Sequence, residues 1–216
     1  MTFVNEIHPD HLDILKEVGN IGAGHAATAL SVLLDSVIDM KVPAVKIVPF
    51  QDIYETVGGT DVIVAAIFLR IQGDAPGNMF FMLPIKEASK FIQQLTGDKT
   101  IDFECPPYNE MGLSALCEMG NIVAGSYLSA FSDFTSLHLH PTPPAIAIDM
   151  MVAILGDGLL EISQAGDYAI LIDTEITERN DLNATTETKG HFFLLPDPDS
   201  FEKIFQSLGV NVNDNS

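Results

Sequence analysis

The sequence has no tryptophan and only two cysteines, and it sets ten Lys and Arg against thirty Asp and Glu, for a formal charge of −20. Each shortage removes a class of function. Cys105 and Cys117 make at most one pair, so neither a disulfide framework nor a cysteine zinc site is indicated. The surplus of negative charge is repelled by nucleic-acid backbones and anionic lipid surfaces, so neither is expected as a partner. The longest uninterrupted apolar run, Val62 to Leu69, has eight residues, whereas a membrane-spanning helix needs about 20. No membrane insertion is expected. The opening MTFVNEIHPDH carries neither the basic region nor the apolar stretch of a secretion signal. What remains is substantial: 216 residues, 47% of them hydrophobic, enough for a sizeable core and too apolar for a disordered acidic chain. The expectation is an acidic globular protein of the cytoplasm.

The chain repeats itself. Asp13-Ile-Leu-Lys-Glu17-Val-Gly-Asn20-Ile-Gly-Ala-Gly24 is echoed by Ser114-Ala-Leu-Cys-Glu118-Met-Gly-Asn121-Ile-Val-Ala-Gly125, each anchor 101 positions on (114 − 13, 118 − 17, 121 − 20, 125 − 24). Pro43 and Pro144 keep that register. Phe80-Phe-Met-Leu-Pro84 returns as Phe192-Phe-Leu-Leu-Pro196 with the offset grown to 112 (192 − 80), so the second half carries about eleven further residues. The polar stretch from Asp181 to Lys189 is the place expected to hold them, as a longer loop. Several anchors in one register point to internal duplication.

Each half predicts the same elements. Residues 9–35 place Leu12, Leu15, Val18, Ala26, Leu30 and Leu33 at helical spacing behind Pro9 and Asp10. Strands follow at 45–50, 62–71 and 79–83, and then a helix from Pro84 that stops at Gly97. The second half predicts a helix near 108–131, strands near 145–155, 167–176 and 191–195, and a helix near 198–208. Short links between consecutive strands favour antiparallel pairing. The expected fold is α/β of the α+β kind: an α-β-β-β-α unit used twice, about 9–97 and 108–208, in one pseudo-two-fold domain spanning residues 1–216. About six mainly antiparallel strands would be covered by helices.

Positions 13, 17 and 20 follow i, i+4, i+7 and fall within about 60° of one helix face. Asp13, Glu17 and Asn20 therefore make one polar stripe, as do Ser114, Glu118 and Asn121. An Asn inside a helix is mildly costly, so its return in the second copy asks for a reason; a solvated face is the plain one. The chemical one is more specific. A carboxylate can pair with a partner's Lys or Arg, and a carboxamide can orient a water without being a strong base. Phosphoryl hydrolysis mainly requires an in-line water beside a phosphorus polarised by charges supplied elsewhere. This chain has few cations and no Walker sequence, so such an enzyme would use its substrate's metal and positive charge.

The pattern Asp/Ser-x3-Glu-x2-Asn-x22-Pro, present twice, resembles the signature of the CheC/CheX/FliY phosphatases of chemotaxis, and CheC most closely. The resemblance covers nearly the whole chain. It implies hydrolysis of the aspartyl phosphate of the response regulator CheY, with Glu17 and Glu118 each binding a regulator lysine and Asn20 and Asn121 each positioning the attacking water. Asp13 and Ser114 fill the variable first position in support, and Pro43 and Pro144 close the motif by shaping the turn from helix to strand. It also implies the deamidase CheD as a partner. No cofactor is expected on this chain, and Mg²⁺ is expected in the regulator. Two rival readings are a non-catalytic module binding phospho-regulator or CheD, and a component of the flagellar switch.

Other features have plain explanations. Gly19, Gly22 and Gly24 lie inside a helical pattern with no preceding strand, so close helix packing is expected rather than a dinucleotide loop. His138 and His140 lie in a Pro-rich connection without an acidic neighbour at ligand spacing. His25 is matched by Ser126 in the second half, so duplicated chemistry should not depend on it. Cys117 and Met111, Met119, Met150 and Met151 are expected to pack inward.

Overall fold

The computed structural model describes residues 7–49, 52–56, 59, 61–154, 168–179 and 185–209. In chain order these form α1 (Pro9–Leu34), β1 (Val37–Lys41), β2 (Val45–Pro49), α2 (Ile53–Thr56), β3 (Ile63–Gly73), β4 (Gly77–Pro84) and α3 (Ile85–Thr96). They continue with α4 (Glu110–Thr135), β5 (Leu139–Pro141), β6 (Ala145–Met150), β7 (Tyr168–Arg179), β8 (Thr185–Pro196) and α5 (Pro198–Ser207). The strands build one eight-stranded sheet in the order β1-β7-β8-β4-β3-β5, with β2 also on β7 and β6 also on β3. All pairings are antiparallel.

The connectivity interlocks the two halves of the chain. β2 leaves its own half to pair with β7, and β6 leaves its own to pair with β3. At the centre β4 meets β8, with Phe81 opposite Phe192 and their rings stacked at 4.4 Å between centroids. Tyr127 of α4 adds a third ring 4.3 Å from Phe192. Its hydroxyl meets Thr174 Oγ1 at 3.2 Å, and burial pushes its pKa up to about 12.

The sheet has two apolar faces. On one, α1, α3, α4 and α5 contribute Leu15, Val18, Leu30, Ile92, Leu116, Val123 and Phe205 to the main core. On the other, Ile53 of α2 and Met151 and Ile154 cover Val64, Phe80, Met82 and Phe193. An ion pair pins α5: Arg70 Nη1 of β3 donates to Asp197 Oδ1 at 2.7 Å, at the start of that helix. The helix starts follow capping chemistry. Pro9 occupies the first turn of α1, and the Asn109 side chain accepts from the Gly112 N–H at 3.0 Å to open α4.

Both long helices end alike. Asp35 and Ser136 take left-handed conformations, with φ of 47° and 58°. One turn earlier, Ser31 Oγ accepts the Ile38 N–H at 2.9 Å, and Ser132 Oγ accepts the Leu139 N–H at 3.3 Å. These serines fasten β1 and β5 to the helices. They stand 101 positions apart (132 − 31), the same spacing as the motif anchors.

Several expectations are corrected. The sheet has eight strands rather than about six, because β1 and β5, too short and mixed to register as β-rich runs, hydrogen-bond to the long β7 and β3. The strand expected at 145–155 ends at Met150. Residues 151–154 are helical, and the Met151 N–H donates to the Val62 carbonyl at 2.9 Å. The stretch read as a loop from Asp181 to Lys189 is strand from Thr185 on, in register with β7; residues 181–184 lie outside the described residues. Met119 and Met151 are buried, but Met111 and Met150 are 65% and 43% exposed.

The glycines of α1 divide as their surroundings require. A Cβ on Gly22 would sit 2.9 Å from the Tyr127 Cα, so α1 and α4 cross at backbone contact there, whereas a Cβ on Gly24 would meet nothing within 4 Å. Gly22→Ala is expected to lower unfolding free energy by about 1–3 kcal/mol through overpacking. Gly24→Ala should leave it unchanged or raise it by up to about 1 kcal/mol through helix propensity. Urea denaturation of both variants measures the contrast.

Candidate functional site

α1 turns Leu15, Val18, Gly19, Gly22 and Ala23 into the core and leaves Asp13 and Glu17 exposed and Asn20 half-buried. On α4, Leu116, Met119, Gly120 and Val123 are buried, while Ser114, Glu118 and Asn121 are all exposed. Both stripes therefore lie on the outer surface of the helices. Among the described residues, neither Glu17 nor Glu118 makes a hydrogen bond or ion pair, so both carboxylates are available to a cation from outside.

The two amides are in different states. Asn20 Oδ1 accepts the Val42 N–H at 2.9 Å. Its Nδ2 donates to the Lys16 carbonyl at 3.0 Å and reaches the Val42 carbonyl at 3.4 Å. The side chain is thus folded back onto the segment joining β1 to β2. The Asn121 side chain makes no hydrogen bond with any described residue. The sequence explains the difference: the position matching Val42 is Pro143, which has no N–H to offer. On that side Cys117 Sγ reaches the Pro144 carbonyl at 3.6 Å. Burial, and then the neighbouring Glu118 charge, push the Cys117 thiol up. Half-buried, with its sulfur occupied, Cys117 only partly fits the inward packing expected of it.

Pro43 and Pro144 are not at the turn from helix to strand. That turn falls at Asp35 and Ser136, and the prolines lie between β1 and β2 and between β5 and β6. Each follows a residue that proline sterically holds extended, which carries the chain past the end of its stripe. His25 is exposed on α1. His138 has an acidic neighbour that spacing could not reveal: its backbone N–H and its Nδ1 lie 2.8 and 3.1 Å from Asp74 Oδ2. These bonds hold the Asp74 carboxyl below its usual range. No cluster of three His, Cys, Asp or Glu gathers at metal-binding distance among the described residues.

The surface is not a self-contained phosphate site. The cavity beneath α1 and α4 is walled by apolar side chains such as Leu15, Val18, Ile71, Phe131 and Ile204, and neither stripe opens into it. The stripes offer anions and amides on a convex helical surface, an arrangement that needs a second molecule to complete any reaction centre. No described helix is long and apolar enough to cross a membrane.

The sequence pattern of the CheC-like family matches residues 11–47 and 111–148, the segments that run from each stripe into its paired short strands. The CheY-P phosphatase CheC of Bacillus subtilis is 47% identical over 98% of this chain and 100% of that protein. The chain belongs to the CheC-like family. The flagellar motor switch phosphatase FliY of B. subtilis is 27% identical over 67% of this chain and 37% of its own length. Among solved structures, Thermotoga maritima FliY superposes with a TM-score of 0.74 at 19% identity, covering 94% of this chain and 98% of that one. The FliM of a Helicobacter pylori FliM–SpeE complex gives 0.65 at 13%, covering 94% and 96%. Identities this low carry the fold alone.

Asn20→Ala should lower unfolding free energy by about 1–3 kcal/mol, because it leaves the half-buried Val42 N–H without its acceptor. Asn121→Ala should change it by less than about 0.5 kcal/mol, as at an exposed site without contacts. Chemical denaturation of the two single variants tests this difference between matching positions.

Proposed function

We propose that this protein is a phosphoaspartate phosphatase acting in the cytoplasm on the phosphorylated response regulator CheY, as the name of its 47% identical relative describes for that protein. The observation that carries the reading is the outward Glu-x2-Asn pair on each long helix. Each Glu has no partner within the described chain, and each pair lies within a segment that matches the family. In this reading residues 1–216 act as one domain of two repeats, about 9–97 and 108–208.

The mechanism follows from what the stripe lacks as much as from what it holds. Glu17 or Glu118 pairs with a lysine beside the regulator's phosphoaspartate and docks the helix against that site. Asn20 or Asn121 then enters it, and the carboxamide, donor and acceptor at once, holds a water in line with the scissile P–O bond. The water attacks phosphorus, the aspartate carboxylate leaves, and inorganic phosphate is released. The regulator supplies Mg²⁺ and the cations that stabilise the equatorial oxygens; no cofactor is assigned to this chain. Asp13 and Ser114 contribute contacts at the edge of the docking surface, and Pro43 and Pro144 shape the segment at its end. CheD is proposed as a second partner on the family resemblance.

A second reading, binding without hydrolysis, is favoured at the first stripe by the Asn20 amide being engaged with Val42. Phosphate release from phosphorylated CheY distinguishes the readings. Asn20→Ala/Asn121→Ala should bind the regulator with near-normal affinity and lose at least about a hundredfold in kcat, since removing one water-positioning group typically costs that order. Glu17→Lys/Glu118→Lys should lose affinity, because like charges would then face the docking lysine. Full activity in the Asn double variant ends the proposed chemistry, and binding without acceleration by the wild type establishes the second reading.

A further inference from the structure

We propose that a single backbone group decides how ready each amide is: the Val42 N–H holds Asn20 in a closed position, and Pro143, by lacking that group, leaves Asn121 open. This rests on the phosphatase reading above and goes beyond it by making the two sites unequal for a stated reason. Val42 and Pro143 occupy the same register (143 − 42 equals 101), and each precedes the proline that ends its motif. Proline at the next position holds both residues in extended backbone. One position presents a donor to the end of the stripe, and the other presents a ring carbon.

Closure at the first site is a matter of hydrogen bonds already made within the chain. The Asn20 amide accepts the Val42 N–H at 2.9 Å on Oδ1, while Nδ2 donates to the Lys16 carbonyl at 3.0 Å and reaches the Val42 carbonyl at 3.4 Å; of these partners only the N–H is one that proline at the matching position cannot supply. To reach out to a regulator it must give up these bonds, and the loss of the Val42 one leaves a half-buried N–H unpaired. A bond of that kind lowers the fraction of molecules with a released side chain by about tenfold, and the apparent turnover of the site falls with that fraction. Asn121 starts exposed and unbonded within the described chain, so it carries no such cost. Val42 and Pro143 are positioning residues: neither needs to touch phosphate. The buried Val42 side chain, which would sit 3.2 Å from a Cβ on Gly19, keeps the N–H aimed at α1.

The test isolates each site by deleting the other amide. Asn20→Ala, which retains only the second site, should have about tenfold higher kcat on phosphorylated CheY than Asn121→Ala, with similar KM. Adding Val42→Pro to Asn121→Ala removes the holding group and should raise kcat several-fold at unchanged KM, a gain that structural damage does not produce. Adding Pro143→Val to Asn20→Ala installs the group and should lower kcat about tenfold at unchanged KM. Amide hydrogen exchange by NMR on the wild type reads the lock without any activity: the Val42 N–H should be protected, and Asn20→Ala should abolish that protection. Equal kcat in the two single-site enzymes, or a Val42 N–H that exchanges as fast in the wild type as in Asn20→Ala, overturns the inference. If Val42→Pro does not fold, Pro143→Val decides: unchanged kcat in that variant overturns it as well. Failure of the phosphatase reading shows separately, as activity that survives loss of both Asn side chains.

Discussion

Neither half of this chain can complete its own sheet. The first half gives up β1 and β2 to β7, the second gives up β5 and β6 to β3, and β4 and β8 join the halves at the centre. The consequence is cooperative: the strands that follow each long helix are held in place by the other half's longest strand. The polar stripes on α1 and α4 are therefore positioned by contacts from both halves. The crossing at Gly22, where a Cβ would press on the Tyr127 backbone, ties the two helices to each other as well as to the sheet. A stripe placed this way sits on a rigid element, which suits side chains that must enter another protein's site in fixed geometry.

That placement explains why neither stripe opens into the apolar cavity beneath α1 and α4. Among the described residues, this outward helical face has no gathered metal ligands, yet it offers carboxylates without partners and at least one unengaged amide. In the proposed function, such a surface is completed by a partner that brings the phosphate, the metal and the positive charge. The net charge of −20 acts in the same direction, because it repels polyanions and favours encounter with a locally cationic site. The proposed function takes its substrate from the CheC-like family and assigns docking to the carboxylates and water orientation to the amides.

The two copies agree in architecture and differ where one atom group differs. Ser31 and Ser132 grip the following strands in the same way, and Asp35 and Ser136 end their helices with the same left-handed backbone. The Asn pair breaks the agreement because hydrogen bonding is local and depends on a donor being present: valine brings one and proline does not. Two helices with the same Glu-x2-Asn spacing thus hold their amides in unequal states.

Much of this was legible from the residues. Apolar spacing placed the four principal helices, and the 101-residue register found the two polar stripes, because helical periodicity is a local property. The short strands β1 and β5 were missed, since their strand character comes from pairing with residues more than a hundred positions away in β7 (Val37 with Arg179) or with the far end of β3 (Ile71 with Pro141). Strand 145–155 was read too long because nothing in its composition marks Met151 as the start of a helical turn covering the second face. The state of Asn20 was likewise out of reach: Val42 is 22 positions away, and only the fold brings that N–H under the amide. The sequence by itself determined which side chains share a helix face and which family they belong to, through local periodicity and repeated spacing. The tertiary structure alone decided which of those side chains is free to act, because that depends on a backbone donor delivered by a distant segment.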